Sequence, residues 1–190
     1  MADICTQWVE ELGIAHRAKA ARRALQAAGA QAAGAIRLGL HHRDPVVVVA
    51  CCDILDHTLD EAAIADLVEC TARSDPTVRA RALHALACDK CKHGACRPGE
   101  AMILEAANRA LHDEDRAVRL QAVTALGPAV RRSDSAFDAV RTRAVDDSDP
   151  CVRKVARWYL PGGPVYEGRR TKTGRLRRSP AGATSSSCSV

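Results

Sequence analysis

Asp75-Pro76-Thr77-Val78-Arg79-Ala80-Arg81-Ala82-Leu83-His84-Ala85-Leu86 decides the fold of this chain, because the pattern returns three more times. It recurs as Asp115-Arg116-Ala117-Val118-Arg119-Leu120-Gln121-Ala122-Val123-Thr124-Ala125-Leu126-Gly127 and as Asp149-Pro150-Cys151-Val152-Arg153-Lys154-Val155-Ala156-Arg157-Trp158-Tyr159-Leu160. An earlier copy is Asp44-Pro45-Val46-Val47-Val48-Val49-Ala50-Cys51-Cys52-Asp53-Ile54-Leu55. Inward positions fall at 0, +4, +7 and +8 from the leading Val (47, 78, 118, 152), which places one apolar stripe on an α-helix. The Asp three residues before that Val suits the N-cap, and Pro beside it suits the first helical turn.

Segments between these copies also carry apolar residues at helical spacing, and they predict helices over 61–71, 100–111 and 135–145. The unit is therefore a helix pair, with leading Vals 31, 40 and 34 residues apart. No segment shows sustained strand alternation. Upstream, 16–28 and 31–40 are Ala-rich and helical in pattern but weaker in repeat identity, and a short helix at 5–12 precedes them. Residues 1–43 read as a degenerate N-terminal cap, the kind of end an exposed repeat array requires. Residues 44–160 read as the repeats, with a Cys-rich insertion at 88–99, and 161–190 as a basic disordered tail.

The Asp-Pro-x-Val-Arg-x-x-Ala-x-x-Ala-Leu-Gly pattern within helix pairs of this length resembles the HEAT-repeat family over about residues 29–160. The resemblance implies an all-α, right-handed α-solenoid of about four to five antiparallel helix pairs. It also implies Asp and Arg ladders between units, here Asp44, Asp75, Asp115 and Asp149 with Arg79, Arg119 and Arg153. Val48 stands where the first copy should carry Arg. Caps and inter-repeat ties are the expected role of these residues.

The 40-residue spacing contains Cys88-Asp89-Lys90-Cys91-Lys92-His93-Gly94-Ala95-Cys96-Arg97-Pro98-Gly99. Zinc takes four N/S ligands at tetrahedral angles, and Cys88, Cys91, His93 and Cys96 would supply them. His84, one helical turn before Cys88, is a rival to His93 for the imidazole place. Unmetallated thiols and a disulfide or redox switch are the other readings of this cluster. Cys51 sits on the stripe and reads as core; Cys5, Cys52, Cys70 and Cys151 read as small buried hydrophobes.

Of 28 Lys+Arg and 23 Asp+Glu, six basic residues and one acid lie in 161–190, so the entire net charge of +5 belongs to that segment. The balanced body, with its few aromatics, argues against a nucleic-acid-binding fold; the tail alone has the charge for weak, salt-sensitive contact. The longest apolar run, 45–52, is too short to span a membrane, and no signal peptide is visible. The cytoplasm is the expected compartment and the thiols are expected reduced. A phosphate loop, a nucleophile elbow and a His-Glu-x-x-His helix are all absent from the sequence. His-Glu dipeptides, the iron ligands of the HEAT-like deoxyhypusine hydroxylases, do not occur. The expectation is a non-catalytic scaffold that binds protein partners on a concave face, with Arg81, Gln121 and Lys154 as contact candidates. A zinc- or thiol-dependent sensor is the alternative, and a lyase or isomerase of the HEAT-like bilin-lyase type is a third.

Overall fold

In the computed structural model, which describes residues 2–92 and 96–168, every regular element is helical and no strand occurs among those residues. The chain divides into two compact units, Met1–Met102 and Ile103–Val190. The first holds α1 (Ala2–Glu11), α2 (Ala15–Ala28), a 3-10 turn (Gly29–Ala32), α3 (Ala33–Gly39), α4 (Pro45–Thr58), α5 (Glu61–Cys70) and α6 (Pro76–Ala87). The division falls in the first turn of α7 (Glu100–Ala110). The second unit continues with α8 (Arg116–Leu126), a 3-10 turn (Gly127–Ala129), α9 (Asp134–Asp146) and α10 (Pro150–Trp158). Within the first unit α6 packs against α4 and α5, and α3 against α1 and α4; within the second, α10 packs against α8 and α9.

The four caps form as the sequence predicts. Asp44 accepts from the Val46 amide, Asp75 from Val78, Asp115 from Ala117 and Val118, and Asp149 from Cys151 and Val152. Each carboxylate thereby satisfies amides that the first helical turn leaves without an internal partner. The stripe is buried throughout, except for partly exposed Leu160. A second row that the spacing does not predict, Cys52, Leu83 and Val123 at +5, is equally buried. α6 is covered from two sides, by α5 and by the equivalent helix α4, and α10 likewise by α9 and α8.

The repeated Arg also has a local role, closing the turn ahead of its own helix. Arg79 Nη1 donates to the carbonyls of Arg73 and Ser74 (2.9 and 2.7 Å), and Arg119 Nη1 to those of Asp113 and Glu114 (both 2.9 Å). Arg153 Nη1 donates to Asp147 and Ser148 (2.5 and 2.9 Å). Arg119 also reaches the next repeat, donating from Nε and Nη2 to the Asp147 carboxylate at 2.9 and 3.0 Å. Where Val48 replaces the Arg, Arg73 serves the corresponding turn, donating to His42 O (2.9 Å) and Leu40 O (3.4 Å).

Residues 161–168, assigned to the tail by composition, instead form turns against the end of α10. The Val165 and Tyr166 amides donate to Trp158 O at 3.0 Å, and the Arg131 guanidinium lies 4.2 Å from the Tyr166 ring centroid. The rest of the expected tail, 169–190, lies outside the described residues. Among the described residues no helix is long and apolar enough to cross a membrane.

Candidate metal centre

α6 ends at Cys88, whose extended backbone (φ −81, ψ 96) leaves the helix while its amide still donates to His84 O. The chain then turns back, so that Cys91 Sγ lies 3.2 Å from Cys88 Sγ. Lys92, only 3% exposed, places Nζ on the carbonyls of Ala85 (2.5 Å) and Cys88 (3.2 Å). A cation there satisfies last-turn carbonyls and complements the negative end of the helix dipole. The loop is also held against the end of α4. His57 Nδ1 lies 3.1 Å from Cys91 O, and the Cys96 amide donates to Leu59 O at 3.0 Å.

This folding brings two helices and one loop to a common point. Asp56 from α4, His84 from α6, and Cys88 and Cys91 each present a ligand atom, all within 4.8 Å of one another. Asp56 Oδ2 lies 3.3 Å from His84 Nε2, and Cys91 Sγ lies 4.0 Å from the same nitrogen. Around zinc, with bonds of about 2.0–2.3 Å, tetrahedral edges run from about 3.3 Å for N–O to about 3.8 Å for S–S. The observed separations of 3.2, 3.3 and 4.0 Å depart from those edges by at most about 0.6 Å. Asp56 is 7% exposed, and its Oδ1 is buried without a hydrogen-bond partner. A buried carboxylate oxygen left unpaired is costly unless something cationic takes it.

In a Cys-His-Asp nucleophile the acid and the thiol sit on opposite ring nitrogens, so that the imidazole relays a proton between them. Here Asp56 Oδ2 and Cys91 Sγ approach the same Nε2 of His84, and the imidazole is also hydrogen-bonded to Cys88.

The cluster polarises its own members. The Asp56 and Cys88 side chains raise the His84 pKa to about 9. The His84 imidazolium lowers the Cys88 thiol to about 7, while burial pushes Cys91 up. Burial alone would raise Asp56, but His84 and then Cys91 more than offset it, leaving the carboxyl below its usual value. Burial lowers Lys92, against the pull of Asp56, Cys88 and other nearby anions.

Of the residues expected as ligands, Cys88 and Cys91 are in this group, and the imidazole in it is His84. His93 lies outside the described residues. Cys96 is not a member; it packs against the core of the first unit. The sequence reading missed Asp56. At about 100° per residue it falls opposite Val47 on α4, where periodicity predicts solvent. It is buried because α6 and the insertion lie over it.

The other candidates resolve as structure. The His42 ring accepts from the Asp44 amide through Nδ1 (3.0 Å), a turn role. His41 and Arg37 both sit on Asp66, at 3.4 and 2.7 Å, within a 460 Å³ cleft. Cys5, Cys51, Cys52 and Cys70 are buried, and Cys52 is hydrogen-bonded to Cys70, while Cys151 is only partly covered. The chain finds no match among protein-family models and none among curated proteins.

Proposed function

We propose that this protein is a non-catalytic protein-interaction module of stacked HEAT-like helix pairs, forming an α-solenoid, whose first unit is braced by a structural zinc ion. The observation that carries the metal reading is the convergence of Asp56, His84, Cys88 and Cys91, with Asp56 Oδ1 buried and unpartnered. Two thiolates and an imidazole favour zinc over harder divalent ions, and four protein ligands fill its tetrahedron as structural sites do. Three anionic ligands and a divalent ion leave one net negative charge, and the Lys92 ammonium stands beside them to balance it. The scaffold reading is supported by the recurrence of one capped helix in register, and by equivalent helices packing on one another within each unit (α4 on α6, α8 on α10). Such stacking makes extended surfaces suited to protein partners.

Metal analysis of the full chain, purified without a His tag, tests the first part. Close to one zinc per chain is expected, with Asp56→Ala and His84→Ala both lowering it. Cobalt substitution should yield thiolate charge-transfer bands that Cys91→Ser weakens. Occupancy below about 0.2 per chain after zinc is offered would overturn the reading. For the interaction module, a partner captured by the full chain should survive deletion of 169–190. It should be lost with Arg81→Glu in the first unit or Lys154→Glu in the second, made separately. Binding that follows residues 169–190 alone would sink the scaffold reading.

A further inference from the structure

The two sulfurs of the centre stand in a relation that zinc alone does not demand. Cys88 Sγ and Cys91 Sγ are 3.2 Å apart, closer than the about 3.8 Å edge of a zinc tetrahedron and about 1.2 Å longer than a disulfide bond. Neither residue is inside a helix: Cys88 is the extended cap of α6, and Cys91 lies in the turn that follows. Both thiols are partly exposed, in contrast to the buried Cys51, Cys52 and Cys70, so a small oxidant reaches them and not the core cysteines.

We propose that this centre is a redox-released zinc site, in which a peroxide converts Cys88 and Cys91 to a disulfide and expels the metal. The proposal rests on the metal reading above. One thiolate attacks a peroxide oxygen, cleaving the O–O bond and releasing hydroxide, and becomes a sulfenic acid. The other sulfur attacks the sulfenic sulfur, forming the S–S bond and releasing a second hydroxide, which solvent protonates. In sum two thiols and one hydrogen peroxide give one disulfide and two waters; sulfur is oxidised and peroxide oxygen reduced. Two of the four ligands are then gone. Asp56 and His84 cannot hold zinc alone, so the clamp between α4 and α6 opens.

The test uses the zinc-loaded full chain, hydrogen peroxide at one equivalent, and a chromogenic chelator to follow released zinc. Digestion by trypsin without reductant cuts after Lys90, which leaves Cys88 and Cys91 on separate peptides joined only if they are bonded to each other. The expected result is one zinc released per peroxide consumed, the Cys88–Cys91 linked peptides in equal yield, and full reloading after dithiothreitol and zinc. Cys96→Ser should release zinc at the wild-type rate. Peroxide consumed with zinc retained overturns the proposal, as does linkage of either cysteine to Cys96. Loss of release in Cys96→Ser overturns it too. A chain that never takes up zinc sinks the metal reading instead, and peroxide treatment of that metal-free chain then still decides whether Cys88 and Cys91 bond.

Discussion

At Gly127 the Tyr159 ring fills the space a side chain would need: a Cβ built there lies 2.3 Å from Cδ1 and Cε1. Tyr159 is the +7 stripe residue of its own helix and is 3% exposed, so the ring has nowhere to go. Gly127→Ala is expected to cost about 1–3 kcal/mol by overpacking, seen as a lower thermal midpoint. Gly34 lies inside α3, and a Cβ there meets nothing within 4 Å. Gly34→Ala should therefore stabilise, by about 0.5–1 kcal/mol of unfolded-chain entropy and helix propensity. Opposite signs for one chemical change test the packing directly. The Ala-Leu-Gly ending of the repeat is visible in the sequence, but the ring that makes the Gly necessary comes from the next copy.

Helices in the second unit are tied by a pair that the repeat pattern half discloses. Arg119 and Asp147 are 8% and 3% exposed and meet through two hydrogen bonds, which join α8 to the turn before α10. Burial would raise the Asp147 carboxyl, but the Arg119 guanidinium and the Asp149 amide outweigh it and hold the folded-state pKa below the usual value. The pair therefore stabilises fully above the unfolded carboxyl pKa of about 3.9, and its contribution is lost as pH falls from there through the lower folded-state value. Thermal melts at a series of pH values should show this acid loss in the wild type and a flatter profile in Asp147→Asn. Arg119→Met leaves the buried carboxylate with the Asp149 amide and, at 3.8 Å, Arg143, and should cost about 3 kcal/mol. Arg119→Lys should recover little, because one ammonium cannot reproduce the two-pronged contact. The Arg was legible as a repeated residue; that Asp147 answers it was not, since Asp147 lies outside the repeated motif.

For the whole chain, the zinc ion proposed above would act as a ligand of the native state alone. At free zinc about a thousandfold above its dissociation constant it would add about 4 kcal/mol of stability. Chelation should lower the thermal midpoint of the first unit, and hydrogen exchange should show protection lost first in the last turn of α6 and at 88–92. An unchanged exchange pattern there would argue that the ion braces nothing. Charge is likewise a matter of place. Glu167 sits in the turns against α10, and all six basic residues of the 161–190 segment lie at 169–178. The net charge of +5 is thus a property of the residues beyond α10, and it says little about the helical body.

The sequence by itself determined the helices, their caps and their buried stripe, because each depends on neighbours within about two turns of the same helix. That Cys88 and Cys91 come together was legible for the same reason, since a tight turn joins them. Tertiary structure alone decided that Asp56 is buried, that His84 and not Cys96 completes the group, and that the +5 row is core. Each of those outcomes depends on what covers a residue from another helix. Periodicity reports which way a side chain points, but only packing decides what it meets there.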